Sequence, residues 1–152
     1  MFRAFIVATS ATAVLATAVM AQDFSAELKA RQGQFRILAI NVGILGGMAK
    51  GEIAYDAESA QAAADSIVAV SMVSQAPLWP AGSDNMSIDG TRAQPNIWEN
   101  LPDVMTKWGA LGDAAKVIQA AAGEGQAALG PALGQLGDAC KSCHDTYRAP
   151  AN

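Results

Sequence analysis

The sequence predicts an all-α fold, an antiparallel up-down-up-down four-helix bundle. Three observations carry that prediction. Apolar residues recur at three- and four-residue steps in four separate segments. No stretch alternates convincingly as a strand does. The connections from the first segment to the second and from the third to the fourth are short, which makes those neighbours antiparallel.

The chain has 152 residues, 51% of them hydrophobic, which suits one domain with no internal repeat. Its first residues stand apart. Met1-Phe2-Arg3 is a short basic start, Phe5 to Val19 is almost uncharged, and Val19-Met20-Ala21 ends on a small residue. That three-part layout is expected of a secretory signal peptide over residues 1–21. The apolar run is shorter than the roughly 20 residues a membrane span needs, so no membrane insertion is expected after cleavage. The mature domain is then 22–152, and its net charge goes from −4 to −5 with the loss of Arg3. An acidic, exported domain has no electrostatic case for binding nucleic acid.

Segment one is read from about Ser25 to Lys50. Phe35, Leu38, Val42, Leu45 and Met48 share one helical face, and Gly51 is the stop signal. Gly43, Gly46 and Gly47 lower the helix propensity and are expected to allow close approach of a neighbouring helix, or local flexibility. Segment two starts near Asp56 as N-cap, with Glu58 in its first turn, and runs to about Gln75. Ala63, Ile67, Val70 and Ser74 form its face, and Pro77 and Pro80 close it.

Ala81 to Gln94 reads as a surface loop, long enough to suggest a task at the site. Segment three opens after Pro95, with Ile97, Leu101, Val104, Trp108, Leu111, Ala115 and Ile118 in helical spacing. A turn at Gly123 to Gly125 leads to segment four. Leu129, Leu133, Leu136, Cys140, Cys143 and Tyr147 lie on its stripe. Pro131 is expected to make this helix begin at about Gly130 or kink there, and Pro150 to end it.

Cys140-Lys141-Ser142-Cys143-His144 is the attachment pattern of a c-type haem. Each thiol adds to a haem vinyl group as a thioether, and the adjacent His144 supplies a neutral imidazole to the iron. Export agrees, because this attachment takes place outside the cytoplasm. Zinc would need four ligands, and the chain has two Cys and one His. A dithiol redox motif would need a strand-turn-helix setting, which is absent; a plain disulfide is the remaining alternative. With a single histidine, bis-histidine ligation within the chain is impossible. A protein sixth ligand would be a methionine (Met48, Met72, Met86 or Met105) or something weaker, and each methionine fits core or loop equally well.

A haem motif at the C-terminal end of four helices resembles cytochrome c′, of the class II c-type cytochromes. Arg31-Gln32, Met48-Ala49-Lys50-Gly51, Tyr55-Asp56, Pro95-Asn96-Ile97-Trp98 and Cys140 to Arg148 carry the resemblance over nearly the whole mature chain. It implies Arg31 and Gln32 beside a haem propionate, which suits guanidinium chemistry. It implies Thr91 and Arg92 at the haem edge, and Arg148 beside the proximal imidazole. Phe35 falls where the family sets a side chain over the open face of the iron; low-spin relatives use Met there, and Phe cannot coordinate.

The resemblance therefore implies a periplasmic, five-coordinate, high-spin haem c that binds NO and CO in preference to O2 and can also transfer electrons. In the family NO can displace the histidine and leave a five-coordinate nitrosyl. The alternative is a low-spin, six-coordinate electron-transfer cytochrome. The sequence offers no general base, polar distal group or second redox centre, so no enzyme activity is expected. Family members often form antiparallel dimers through helices one and two, so a homodimer is expected.

Overall fold

The structure is a computed structural model that describes residues 23–151. The signal-peptide reading, with its cut after Ala21, lies outside those residues. Four long helices form the bundle: α1 (Ser25–Lys50), α2 (Ala57–Ser71), α4 (Leu101–Ala121) and α5 (Gln126–Tyr147). One short helix, α3 (Asn96–Glu99), precedes α4, and a 3-10 turn, Ala76–Leu78, follows α2. Helix α1 packs on α2 and α5, and α4 packs on the same two, so the helices close a ring. No helix among the described residues is long and apolar enough to cross a membrane.

The ends of these helices follow local chemistry. The Asp56 side chain accepts from the Ser59 backbone N–H at 2.8 Å, which caps α2. Gly51 takes φ +73°, and the N–H groups of Gly51 and Glu52 return to the carbonyls of Met48 and Gly47. That left-handed stop is the one the sequence indicates, since glycine adopts it without strain. The expectation of close helix approach at the α1 glycines needs correcting. A Cβ at Gly43 or Gly46 would meet nothing within 4 Å; only Gly47 is crowded, by Ile53 of the following turn. The tight neighbour is the chain reversal, not another helix.

Three boundaries differ from the sequence reading. Helix α2 ends at Ser71, not Gln75, because Gln75 turns inward to join a buried network. Segment three is two helices. Pro102 has no N–H to give the Trp98 carbonyl, and its ring would collide with that carbonyl, so the chain breaks at Asn100 (φ −130°, ψ 34°) and restarts at Leu101. Pro131, by contrast, sits inside α5, which starts at Gln126. Pro131 and Ala127, whose carbonyl it leaves unpaired, both face solvent. Buried Leu129, Ala132 and Leu136 hold that turn against the core.

The core is a column of small and branched residues. Leu45, Ala64, Ile67, Ala115, Ile118 and Leu129 are completely or almost completely buried. Alanine on α2 and α4 lets these helices approach closely, as close packing requires. A second, smaller cluster gathers Ala93, Ile97, Val104 and Tyr147, with Trp79, Trp98 and Cys143 at its edge. It closes the end of the bundle where the α5 motif lies.

Candidate haem site

The cysteines and the histidine of the motif come from the last two turns of α5. Cys140, Cys143 and His144 are three and four residues apart, so one helical face carries all three. They line a cavity of about 650 Å³ between α1, α4, α5 and the 81–94 loop. The two sulfurs are not joined in a disulfide. Burial raises both thiol pKa values above the ordinary one. Burial holds the His144 imidazole below its usual range, and the positive charges of Arg148 and Arg92 reinforce this, against the opposing charge of Asp145. A neutral imidazole is the form that binds a metal. Among the described residues no group of three Cys, His, Asp or Glu side chains could hold a bare metal ion.

The opposite wall is built by α1. Phe35 lines the cavity and meets Trp108 edge to face, with ring centroids 6.1 Å apart. The Trp108 indole N–H donates to the Ser71 carbonyl at 2.9 Å, so that ring is fixed from behind. Of Met48, Met72, Met86 and Met105, Met105 alone lines the cavity. Met48 is buried in the core, and Met72 and Met86 are exposed.

Arg31 has the most demanding position. It is 97% removed from solvent, its exposure being 3%. Its guanidinium donates to Ser83 Oγ at 3.0 Å, to the Ser83 carbonyl at 3.0 Å and to Thr91 Oγ1 at 3.2 Å. It also stacks 4.4 Å from the centre of the Trp79 ring. Desolvation lowers its pKa from the ordinary value. None of the ion pairs among the described residues includes it. A buried cation without an acidic partner is costly unless an anion approaches it.

The rest of the lining shares that character. Arg31, Arg36, Arg92, Lys107 and Arg148 all line the cavity, and no Asp or Glu does. In a chain of net charge −4 this is a locally cationic chamber, apolar in the middle. A flat, apolar macrocycle bearing two carboxylates fits that donor set.

The loop is placed by its backbone. Ala93 and Arg148 form an isolated antiparallel bridge; Gln94 N–H donates to the Tyr147 carbonyl and Ala149 N–H to the Arg92 carbonyl. One expectation changes as a result. Arg148 is extended (φ −117°, ψ 121°), although its N–H still closes a turn on the His144 carbonyl at 3.2 Å, and α5 ends at Tyr147 before Pro150 is reached. The bridge captures the chain first. Arg148 nevertheless lines the cavity, as do Gln32, Thr91 and Arg92. Gln32 Nε2 donates to the Gly90 carbonyl at 2.7 Å, so its amide anchors the loop.

The structure thus brings together all nine residues singled out in the sequence: Arg31, Gln32, Phe35, Thr91, Arg92, Cys140, Cys143, His144 and Arg148. It adds Gln75, Trp79, Trp108 and Tyr147, which the sequence reading had not assigned to the site. Gln34, whose amide donates to Gln75 at 2.8 Å from behind the lining, was visible as a polar residue three after Arg31 and four before Leu38 on the inward face of α1. Nothing local in the sequence announces its partner, Gln75.

Comparison with known proteins agrees with this geometry. The sequence profile of the family described as Cytochrome C' matches residues 26–148. A cytochrome c' from Cereibacter sphaeroides is 38% identical over 136 residues, covering 90% of this chain and 91% of the relative. A cytochrome c-554 from the same organism is 40% identical over 139 residues, covering 91% of each. The solved cytochrome c' from Rhodobacter spheriodes superimposes with a TM-score of 0.81 at 35% identity, over 86% of this chain and all of that one. With an all-helical bundle and the matching profile, the chain belongs to the cytochrome c′ family, whose cofactor is covalently attached haem c.

Proposed function

We propose that this chain is a periplasmic, five-coordinate haem protein that takes up small uncharged diatomic gases, NO and CO above all. Cys140 and Cys143 hold the thioethers, His144 supplies the single protein ligand, and Arg31 with Arg92 receives the propionates. The bound haem supplies reversible gas binding and a one-electron change. The observation that carries the reading is the pairing of walls: His144 on α5, and Phe35, which has no lone pair for iron, on α1. Trp108 behind Phe35 keeps the ring from swinging away. Burial, reinforced by the positive charges of Arg148 and Arg92, disfavours protonation of His144 and keeps its imidazole neutral.

Relatives support the gas reading. A ferrous cytochrome c prime variant from Alcaligenes xylosoxidans, 28% identical with a TM-score of 0.69, has been solved with bound NO. Another solved cytochrome c', 29% identical with a TM-score of 0.75, has an unusual ligand-controlled dimer dissociation. A homodimer through α1 suits this chain too, since Ile37 and Ile40 are about half or more exposed on its outer face (47% and 64%).

A low-spin electron carrier is the second reading, and Met105 in the cavity lining is what favours it. Absorption and EPR spectra of the ferric holoprotein separate the two. High-spin signals, with uptake of NO and CO by the ferrous form, are expected. A low-spin spectrum with a methionine-to-iron charge-transfer band, abolished by Met105→Leu, would overturn the five-coordinate reading.

A further inference from the structure

Half of the basic residues of this acidic chain meet around one cavity. Of its ten Lys and Arg residues, Arg31, Arg36, Arg92, Lys107 and Arg148 line the cavity, and none of the fourteen Asp and Glu residues does. Each framing element supplies at least one: α1 gives Arg31 and Arg36, α4 gives Lys107, the 81–94 loop gives Arg92, and Arg148 follows α5. The cations therefore ring the cavity instead of lying along one side. The backbone bridge between Ala93 and Arg148 sets Arg92 near Arg148. Burial first, and then the charge of Arg92, lower the Arg148 pKa from its ordinary value.

Part of this charge is already met. Lys107 pairs with Asp103 at 3.8 Å. In the reading above, the two propionates meet Arg31 and Arg92. Asp145, the residue after His144, pairs with Lys141, and Asp89 lines only the small pocket beside the loop. Arg36 and Arg148 are left over. Both are exposed, and neither enters an ion pair among the described residues. The residues one turn from Arg36 on α1 (Gln32, Gly33, Ala39 and Ile40) include no acid. Ala39 and Met105 are exposed in the same lining and add apolar surface.

We infer that this cationic rim is the docking face for an acidic electron-transfer protein, which returns ferric haem to the ferrous state that takes up gas. The inference rests on the haem placement and the one-electron change proposed above. One electron passes from the partner's redox centre to the iron, and no bond is made or broken. A chain of net charge −4 repels an acidic partner at long range. A rim of opposite sign makes one approach attractive, the one that ends at the haem. An apolar patch inside a charged rim is also the usual anatomy of a protein interface.

Two small reductants of equal and opposite charge test the rim: the Fe(II)–EDTA dianion and the hexaammineruthenium(II) dication. In stopped-flow mixing with ferric holoprotein, each metal(II) ion gives one electron to the haem. The rate with the dianion should fall at least about threefold as salt rises from ~10 mM to ~300 mM, and the rate with the dication should rise. Net charge alone dictates the reverse. Arg36→Gln should flatten both slopes. Lys50→Gln, an equal change of charge at the C-terminal end of α1 and outside the lining, should leave them as they are. Calorimetric titration with an oligo-glutamate peptide reads docking apart from electron transfer. Binding at low salt is expected, lost at high salt, weakened by Arg36→Gln and not by Lys50→Gln. Salt slopes that follow the net charge overturn the docking face. So does steering of the dianion without peptide binding, which would leave a small-anion chamber only. Haem that neither reagent reduces would instead bring down the one-electron reading, and this inference with it.

Discussion

The Tyr147 hydroxyl donates to the Asp103 carboxylate at 2.7 Å and so ties the last turn of α5 to the first turn of α4. Asp103 also pairs with Lys107 at 3.8 Å. The bond lies three residues beyond His144 and four beyond Cys143, so it anchors the segment that carries the haem-attachment pattern. The hydrogen bond to Asp103, burial and the Asp103 charge together push the Tyr147 pKa up to about 12.

Alkaline stability should report this bond. A tyrosine in the unfolded chain ionises near pH 10. Between that value and about 12 the unfolded chain has released a proton that the native protein keeps, so stability falls as pH rises. The contribution is fully present below pH ~10 and gone above the folded pKa. Denaturant melts at stepped pH should show this decline in the wild type, and Tyr147→Phe should lack that component.

Arg31→Met should destabilise the holoprotein by about 2–3 kcal/mol in urea melts, because it strands the buried Ser83 carbonyl and removes the bonds to Ser83 Oγ and Thr91 Oγ1. Arg31→Lys should recover only part of this. An ammonium carries the charge but not the planar fork that spans Ser83 and Thr91.

Phe35→Met places a potential ligand where a ring now blocks. Ferric spectra should shift from high-spin towards low-spin. Phe35→Ala, read by flash photolysis, should speed CO rebinding, since it removes the ring that rests against Trp108. Unchanged rebinding would put the gas route elsewhere.

Glycines on this scaffold should answer to alanine with opposite signs. Gly51→Ala forces a side chain into φ +73° and should cost about 1–2 kcal/mol. Gly134→Ala lies within α5 with nothing within 4 Å of its added Cβ, and should gain up to about 1 kcal/mol from helix propensity. Thermal melts of the two variants suffice.

The outer face of α1 should carry self-association. Sedimentation velocity at micromolar concentration is expected to find dimer in the wild type and monomer in Ile40→Lys, whose exposed position leaves the monomer fold intact. Monomer in both would remove the dimer proposal.

The sequence by itself determined what depends on neighbours a few residues apart. Cys140, Cys143 and His144 fall on one helical face because three and four residues make about one turn. Asp56 caps and Gly51 stops their helices for equally local reasons. Fold class followed from periodicity, and the haem from the spacing of the cysteines. Pro102 was just as visible, yet the apolar spacing continued through it and disguised the break at Asn100. Only the tertiary structure decided the pairings that complete the site. Arg31 finds Ser83 and Thr91 at separations of 52 and 60 residues, and Gln34 finds Gln75 at 41. Arg148 leaves the helix where the Gln94 N–H and the Arg92 carbonyl take up the backbone of Tyr147 and Ala149 on either side of it. Such partners are selected by which segments the closed bundle brings within hydrogen-bonding distance of a buried polar group, and no local periodicity carries that information.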